Sequence, residues 1–192
     1  MKKLLLSIIA LATISTFSNA QSFEKGGKYL SLGLGGANFW HLGTGSPSVY
    51  GYGFGYTPTT GQVNLQLEFG IHKYVGLGLT TGVGGSGGLG IYGAEFNIPV
   101  GVIANCHFWQ LIADKTGKGD QLKVDKLDLY AGINVGTGVG MLFGGAGTVT
   151  PTALVFVGPQ IGVRYFFTDK IAVNGELGYG KSWVNGGVVF KL

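Results

Sequence analysis

Few residues of this chain could do chemistry, and glycine surrounds most of them. Gly175-Glu176-Leu177-Gly178-Tyr179-Gly180-Lys181-Ser182 matches letter for letter the G-x-x-x-x-G-K-[ST] loop whose backbone amides cradle phosphates. That chemistry needs a helix directly after the loop, so that its N-terminus faces the anion. Trp183 to Leu192 alternates as a strand does instead, so the match reads as a product of glycine abundance. Gly82-x-Gly84-x-x-Gly87 has the letters of a dinucleotide fingerprint and lacks the same helix. His41, His72 and His107 fall in a loop, a turn and a strand end with no metal-ligand spacing. Cys106 lies on an apolar phase, where it reads as a small hydrophobe. His41 with Ser46 or Ser48 supplies two parts of a serine-hydrolase arrangement, but nothing fixes an acid partner. No catalytic residue, cofactor or metal ligand is assigned.

What does recur is a set of ionic and amide side chains in strict alternation with apolar ones. Glu68, Glu95, Arg164, Asn174 and Glu176 all occupy the polar phase of their segments. Thr168-Asp169-Lys170 reads as a three-residue turn, which sets Arg164 opposite Asn174 and Glu176 diagonally beyond it. Such a set either fills an interior as an ion-pair network or lines a pore. Filling is favoured, because eight strands enclose a space only just occupied by side chains. A second group, Phe39, Trp40, Tyr50, Tyr52, Phe54 and Tyr56, offers flat amphipathic rings in one connection. It is the candidate contact for an outside partner or sugar, the alternative being an aromatic girdle at a membrane interface.

The elements that hold these residues follow from composition and period. Of 192 residues 38 are glycine, 11% are charged and 45% are hydrophobic. The glycines keep no three-residue register, which excludes collagen. Glycine at this density would cost about 1 kcal/mol at each helical site, which disfavours a helical domain. The wealth of aromatic and β-branched residues disfavours disorder. Eight alternating segments remain: 28–35, 62–71, 75–84, 92–107, 127–141, 153–167, 171–178 and 184–192. Most reach the roughly 9–11 residues of a tilted membrane-spanning strand. His72-Lys73-Tyr74 reads as a three-residue turn that sets Ile71 opposite Val75 and keeps both apolar sets on one face. An even strand number places both chain ends on one side, with short turns there and longer loops opposite; the charged 108–126 connection is the exception. One face is apolar and the other carries the ionic and amide groups, which fits lipid outside and a polar interior. Closure leaves no unpaired strand edge in the bilayer. The fold class expected is therefore all-β, an eight-stranded antiparallel up-and-down transmembrane barrel.

Met1-Lys2-Lys3, the largely apolar run Leu4 to Phe17 and the closing Ser18-Asn19-Ala20 together read as a secretory signal peptide over 1–20, leaving a barrel over 21–192. The apolar run is shorter than the ~20 residues a spanning helix needs. The formal charge of the whole chain is +4, and no basic cluster with interleaved aromatics marks a nucleic-acid partner.

Arg164-Tyr165-Phe166-Phe167-Thr168-Asp169-Lys170-Ile171, Glu176 to Gly180, and the closing Gly187-Val188-Val189-Phe190-Lys191-Leu192 together make the mature chain resemble the small eight-stranded outer-membrane β-barrels of Gram-negative bacteria, the OmpX/OmpA-like porin-family group. The resemblance implies a cell outer membrane location with periplasmic termini. It also implies membrane lipid as the surrounding partner, with periplasmic chaperones and the barrel-assembly machinery as partners during biogenesis. Val188, Phe190 and Leu192 keep the alternation of the family's terminal assembly signal, with Leu192 in place of the usual terminal Phe. The family brings no common catalytic residues. The function expected is that of a non-enzymatic barrel contributing to envelope integrity or to surface contacts through its outer loops. A narrow passive channel for water, ions or very small solutes is the alternative, and a lipid-modifying hydrolase the third reading. Within the eight segments nearly all glycines share the inward phase, Gly175 and Gly186 excepted. Runs such as Gly76 and Gly78, or Gly132, Gly136, Gly138 and Gly140, are expected to free internal volume for polar groups and water, which supports the channel.

Overall fold

Alternation with period 2 puts successive side chains on opposite faces of a strand, so each segment has one apolar wall and one polar wall. The computed structural model describes residues 22–37, 40–42, 60–86, 94–143 and 147–192. The strands are β1 (Lys28–Ala37), β2 (Trp40–Leu42), β3 (Thr60–His72), β4 (Val75–Ser86), β5 (Ala94–Cys106), β6 (Leu127–Phe143), β7 (Val149–Phe166), β8 (Ile171–Gly178) and β9 (Ser182–Lys191). All pairings are antiparallel, in the order β2-β7-β6-β5-β4-β3-β1-β9-β8, and β7 also pairs with β8. That last ladder closes the sheet, so the wall is an eight-stranded barrel. The expected segments are all present, most of them extended by one to four residues at an end.

The short β2 is an addition that alternation did not announce. It pairs with Ala153–Val155 of β7, beyond the point where Gly178 of the short β8 pairs with Gln160. The stretch of β7 edge that β8 leaves uncovered is thereby partly occupied. Trp40, expected in an outer loop, is therefore in a strand; its side chain lies outside the described part.

Turn parity holds with one refinement. Gly70 pairs with Gly76 as the expected register requires, but His72 rather than Ile71 faces Val75. Ile71 is the extra residue of a bulge, and Lys73-Tyr74 makes the turn. At the other short turn the Phe167 amide bonds the Ile171 carbonyl at 3.0 Å, and Arg164 faces Asn174 as read.

The 108–126 connection folds into α1 (Phe108–Thr116) and a single turn, α2 (Gly119–Leu122). Gly117 ends α1 at φ +65°, a left-handed value that glycine adopts without strain, and its amide bonds the Ala113 carbonyl. The Trp109 indole donates to the Leu122 carbonyl at 2.9 Å and ties the two helices together.

Ahead of β1, residues 22–27 turn into the barrel mouth on the side of the termini. The Ser22 amide and hydroxyl both donate to the Val124 carbonyl, at 3.0 and 2.7 Å. Gly26 and Gly27 exchange backbone bonds with Gly70. This seats Phe23 wholly inside, in a cluster with Tyr29, Phe166, Ala172 and Val189. The expected signal peptide, 1–20, lies outside the described residues.

Candidate functional site in the barrel lumen

Side-chain placement is inverted relative to a water-soluble barrel. Leu79 and Val100 are 58% and 54% exposed on the outer wall, whereas Glu68 and Arg164 are fully buried inside. An ionic group with no water around it must be paired. The pairing found here joins β3, β5, β6, β7, β8 and β9.

Arg164 of β7 is the centre. Its Nη2 donates to Glu68 of β3, and its Nη1 lies 3.7 Å from the carboxylate of Asp128 on β6. The guanidinium rests over the ring of Tyr130 at 4.5 Å and that of Tyr29 at 5.6 Å. His107, just beyond β5, bridges the same two acids: Nδ1 is 2.9 Å from both Asp128 oxygens and Nε2 is 3.2 Å from Glu68 Oε1. Both ring nitrogens face carboxylate oxygens, an arrangement in which the doubly protonated ring donates from each. Phe23 stacks flat on this imidazole, with centroids 3.3 Å apart.

Two amide chains run outward from the charges. Asn105 donates to Glu68 at 2.8 Å, Gln160 to Asn105 at 2.8 Å and Asn134 to Gln160 at 3.0 Å. Around the other side, Tyr130 and Asn185 donate to the two oxygens of Glu176 at 2.7 and 2.9 Å, and Asn64 donates to Asn185 at 3.1 Å. Lys181 turns inward, 3.6 Å from Glu176 and donating to Gln66 at 2.6 Å. The phosphate-loop lettering of 175–182 is thus a strand end and a turn, and its lysine pairs with the glutamate of the same motif.

The internal space expected along the glycine runs is taken by polar side chains at Gly76, Gly132 and Gly140, and by a ring at Gly136. A Cβ at Gly162 would overlap the Tyr130 ring, one at Gly136 the Phe156 ring, and one at Gly76 the Glu68 carboxylate. The glycines are hollows in which large neighbours lie, so at these positions the volume they release is taken by side chains rather than left for water.

Of the residues singled out in the sequence, Glu68 and Arg164 are in direct contact, and Glu176 joins them through Tyr130. Asn174 is buried opposite Arg164, and its Oδ1 has no hydrogen-bond partner. Glu95 shares their phase but lies at the far end of the barrel, opposite Ser86; its side chain is outside the described part. Phe39, Tyr50, Tyr52, Phe54 and Tyr56, with Ser46 and Ser48, lie outside the described residues. Val188, Phe190 and Leu192 all point outward and are exposed. Phe23, His107, Asp128, Tyr130 and Lys181 were not singled out as members of this network. Asp128 was within reach of the reading, since it pairs directly with Arg164 once β6 and β7 are set in register. Among the described residues no group of three or more His, Cys, Asp and Glu is arranged to hold a metal ion.

No protein-family model matches the chain, and no curated protein matches it in sequence. Among solved structures, neisserial surface protein A aligns at a TM-score of 0.56 and 13% identity, over 86% of this chain and 97% of that one. The chain has the fold of the small eight-stranded outer-membrane β-barrels. Ail of Yersinia pestis aligns at 0.49 with 12% identity, over 87% of this chain and 95% of that one. OprG of Pseudomonas aeruginosa aligns at 0.49 with 11% identity, over 88% and 98%.

Proposed function

We propose that this chain is an integral outer-membrane protein whose barrel is filled and non-conducting. It acts without catalysis, contributing to envelope integrity or to surface contacts through its outer loops. The observation that carries the reading is the inversion itself. Large apolar residues stand exposed around the wall while Arg164, Glu68, His107 and Asp128 are buried across the lumen toward the rim of the termini. Only a hydrocarbon solvent makes that outer wall favourable, and a paired charge cluster with Phe23 beneath it leaves little path for ions. On this reading the termini are periplasmic, the partners are membrane lipid and, during biogenesis, chaperones and the assembly machinery, and Val188, Phe190 and Leu192 form the assembly signal. The aromatic connection Phe39–Tyr56 is the contact for any outside partner.

The test is membrane extraction followed by gel migration with and without boiling, then planar-bilayer recording. A folded barrel shifts on boiling and passes no steady current. Steady conductance from folded protein would favour the narrow channel, and migration unchanged by boiling would remove the membrane barrel altogether.

A further inference from the structure

The two rims of the barrel differ in charge. Every described lysine except Lys181 lies on the rim that carries the termini. The segments 38–59, 87–93 and 144–148 of the opposite rim contain no charged residue at all. On the lysine-bearing rim, α1 adds an apolar stripe. Gln110 and Ala113 are its buried face. Phe108, Leu111 and Ile112, with Lys115 one turn further on, repeat at i, i+3, i+4 and i+7 and point the other way; Ile112 is 41% exposed. The helix is fixed in this orientation from the barrel side, because Asp114 accepts bonds from the Tyr74 hydroxyl at 2.7 Å and from Lys73 at 3.0 Å. Lys115 at the end of the stripe and Lys118, Lys123 and Lys126 beyond it are all exposed; Asp120 and Asp125 stand among them, and the four lysines leave this stretch net positive.

From this juxtaposition we propose that α1 and the lysines that follow it form a lipid-docking surface. The apolar stripe sits in the headgroup–acyl boundary of the leaflet on the side of the termini, and the ammonium groups sit at the phosphates of anionic phospholipid. The proposal rests on the membrane-spanning reading above. Two observations select lipid as the occupant. The stripe continues the exposed apolar wall, since Cys106, two residues before Phe108, is on the lipid-facing side and exposed. The described lysines of this rim outnumber its acids Glu24, Asp114, Asp120, Asp125 and Asp169, which leaves it net positive and complementary to phosphate. Apolar side chains flanked by lysines are the composition that lies in an interface rather than across it, and lysine stems extend along apolar surface while their heads reach the phosphates.

The experiment uses the full chain in vesicles of phosphatidylcholine, alone or mixed with phosphatidylglycerol. A spin label is placed at Ile112→Cys or, as a reference on the mid-wall, at Val100→Cys, each in a Cys106→Ala background checked for folding by heat-dependent migration. The label at 112 should be reached by oxygen and shielded from an aqueous nickel chelate, at a shallower depth than the label at 100. Spin-labelled phosphatidylglycerol should be preferred about fivefold over phosphatidylcholine, the effect of roughly one lysine at a membrane surface. Replacing Lys115, Lys118, Lys123 and Lys126 by Gln should bring that preference close to one. A label at 112 fully open to the chelate, with the label at 100 still in lipid, overturns the proposal and leaves the stripe to a periplasmic protein or the cell wall. A preference unchanged by the four glutamines also overturns it. A label at 100 in water overturns the membrane-spanning reading instead.

Discussion

The half of the lumen nearest the termini and the half nearest the outer loops are filled by different chemistry. Near the termini, Arg164, Glu68, His107 and Asp128 are held by several partners each and wedged by Phe23, Tyr29 and Tyr130. Toward the opposite rim, the Phe156 ring of β7 fills the hollow at Gly136, and Leu154 lies with the uncharged Asn97 and Thr152 at Gly140. The first half is a lock in which removing Arg164 leaves the buried Glu68 and Asp128 without their cation. The second is a stopper in which one ring fills one hollow. Small barrels can therefore be closed in two ways that respond differently to damage.

Arg164→Ala breaks the comparison most severely. It leaves Glu68 and Asp128 buried without the guanidinium, and removing one partner of a buried pair costs about 3–5 kcal/mol. Urea unfolding in detergent micelles, followed by the heat-dependent gel shift, should show a loss of that order. A loss like that of an ordinary surface substitution would mean the centre is hydrated. Phe156→Ala should cost somewhat less, about 3 kcal/mol, because the hollow at Gly136 can partly collapse but strands no charge. It should also be the variant that begins to pass small ions, and Gly136→Ala should press on the same ring from the other side. Equal conductance from Arg164→Ala and Phe156→Ala would erase the distinction between lock and stopper.

The smallest effect concerns the rim outside both halves. The hydrogen bond from Tyr74, and after it the contact with Lys73, holds the Asp114 carboxyl below its ordinary range. A carboxyl depressed in the folded state contributes stability above its unfolded pKa, about 4, and that contribution disappears as acid carries it through the lower folded value. The protection of the Phe108–Thr116 amides against exchange, taken relative to the free-peptide rate at each pH, should thus stay constant from neutral pH down to about 4 and fall only below. Tyr74→Phe should shrink that fall, because less of the depression of Asp114 remains; a fall of unchanged size would mean Asp114 does not tether α1.

The strands were legible because each carries its own evidence. Val63, Leu65, Leu67 and Phe69 against Gln62, Asn64, Gln66 and Glu68 allow one phase only, and turn parity set Arg164 against Asn174. The network was half legible. Phase shows that Glu68 and Arg164 face inward, but which residues meet across a barrel depends on shear between strands far apart in the chain. His107 carries no alternation of its own at a strand end, and Phe23 belongs to no strand, so neither could be placed by period. Glycine misled in one respect: its inward bias was correct, but the sequence does not say whether a hollow holds water or a neighbour's ring. Gly162 beneath Tyr130 and Gly136 beneath Phe156 are occupied. The α1 stripe is carried by three apolar positions only, Phe108, Leu111 and Ile112, too short a run within a charged connection for its period to stand out.

One consequence concerns order in time. Trp40–Leu42 belongs to the first stretch of chain to be made, yet its ladder partner is Ala153–Val155, more than one hundred residues later. Neighbouring hairpins can form as soon as their two strands exist, but this ladder waits for nearly the whole polypeptide, and such distant closures are the slow ones. Until then the outer edge of β7 has no cover where β8 stops short. The early segment is a latch whose two sides lie far apart in the chain, so the seam beyond β8 can be sealed only after β7 is in place.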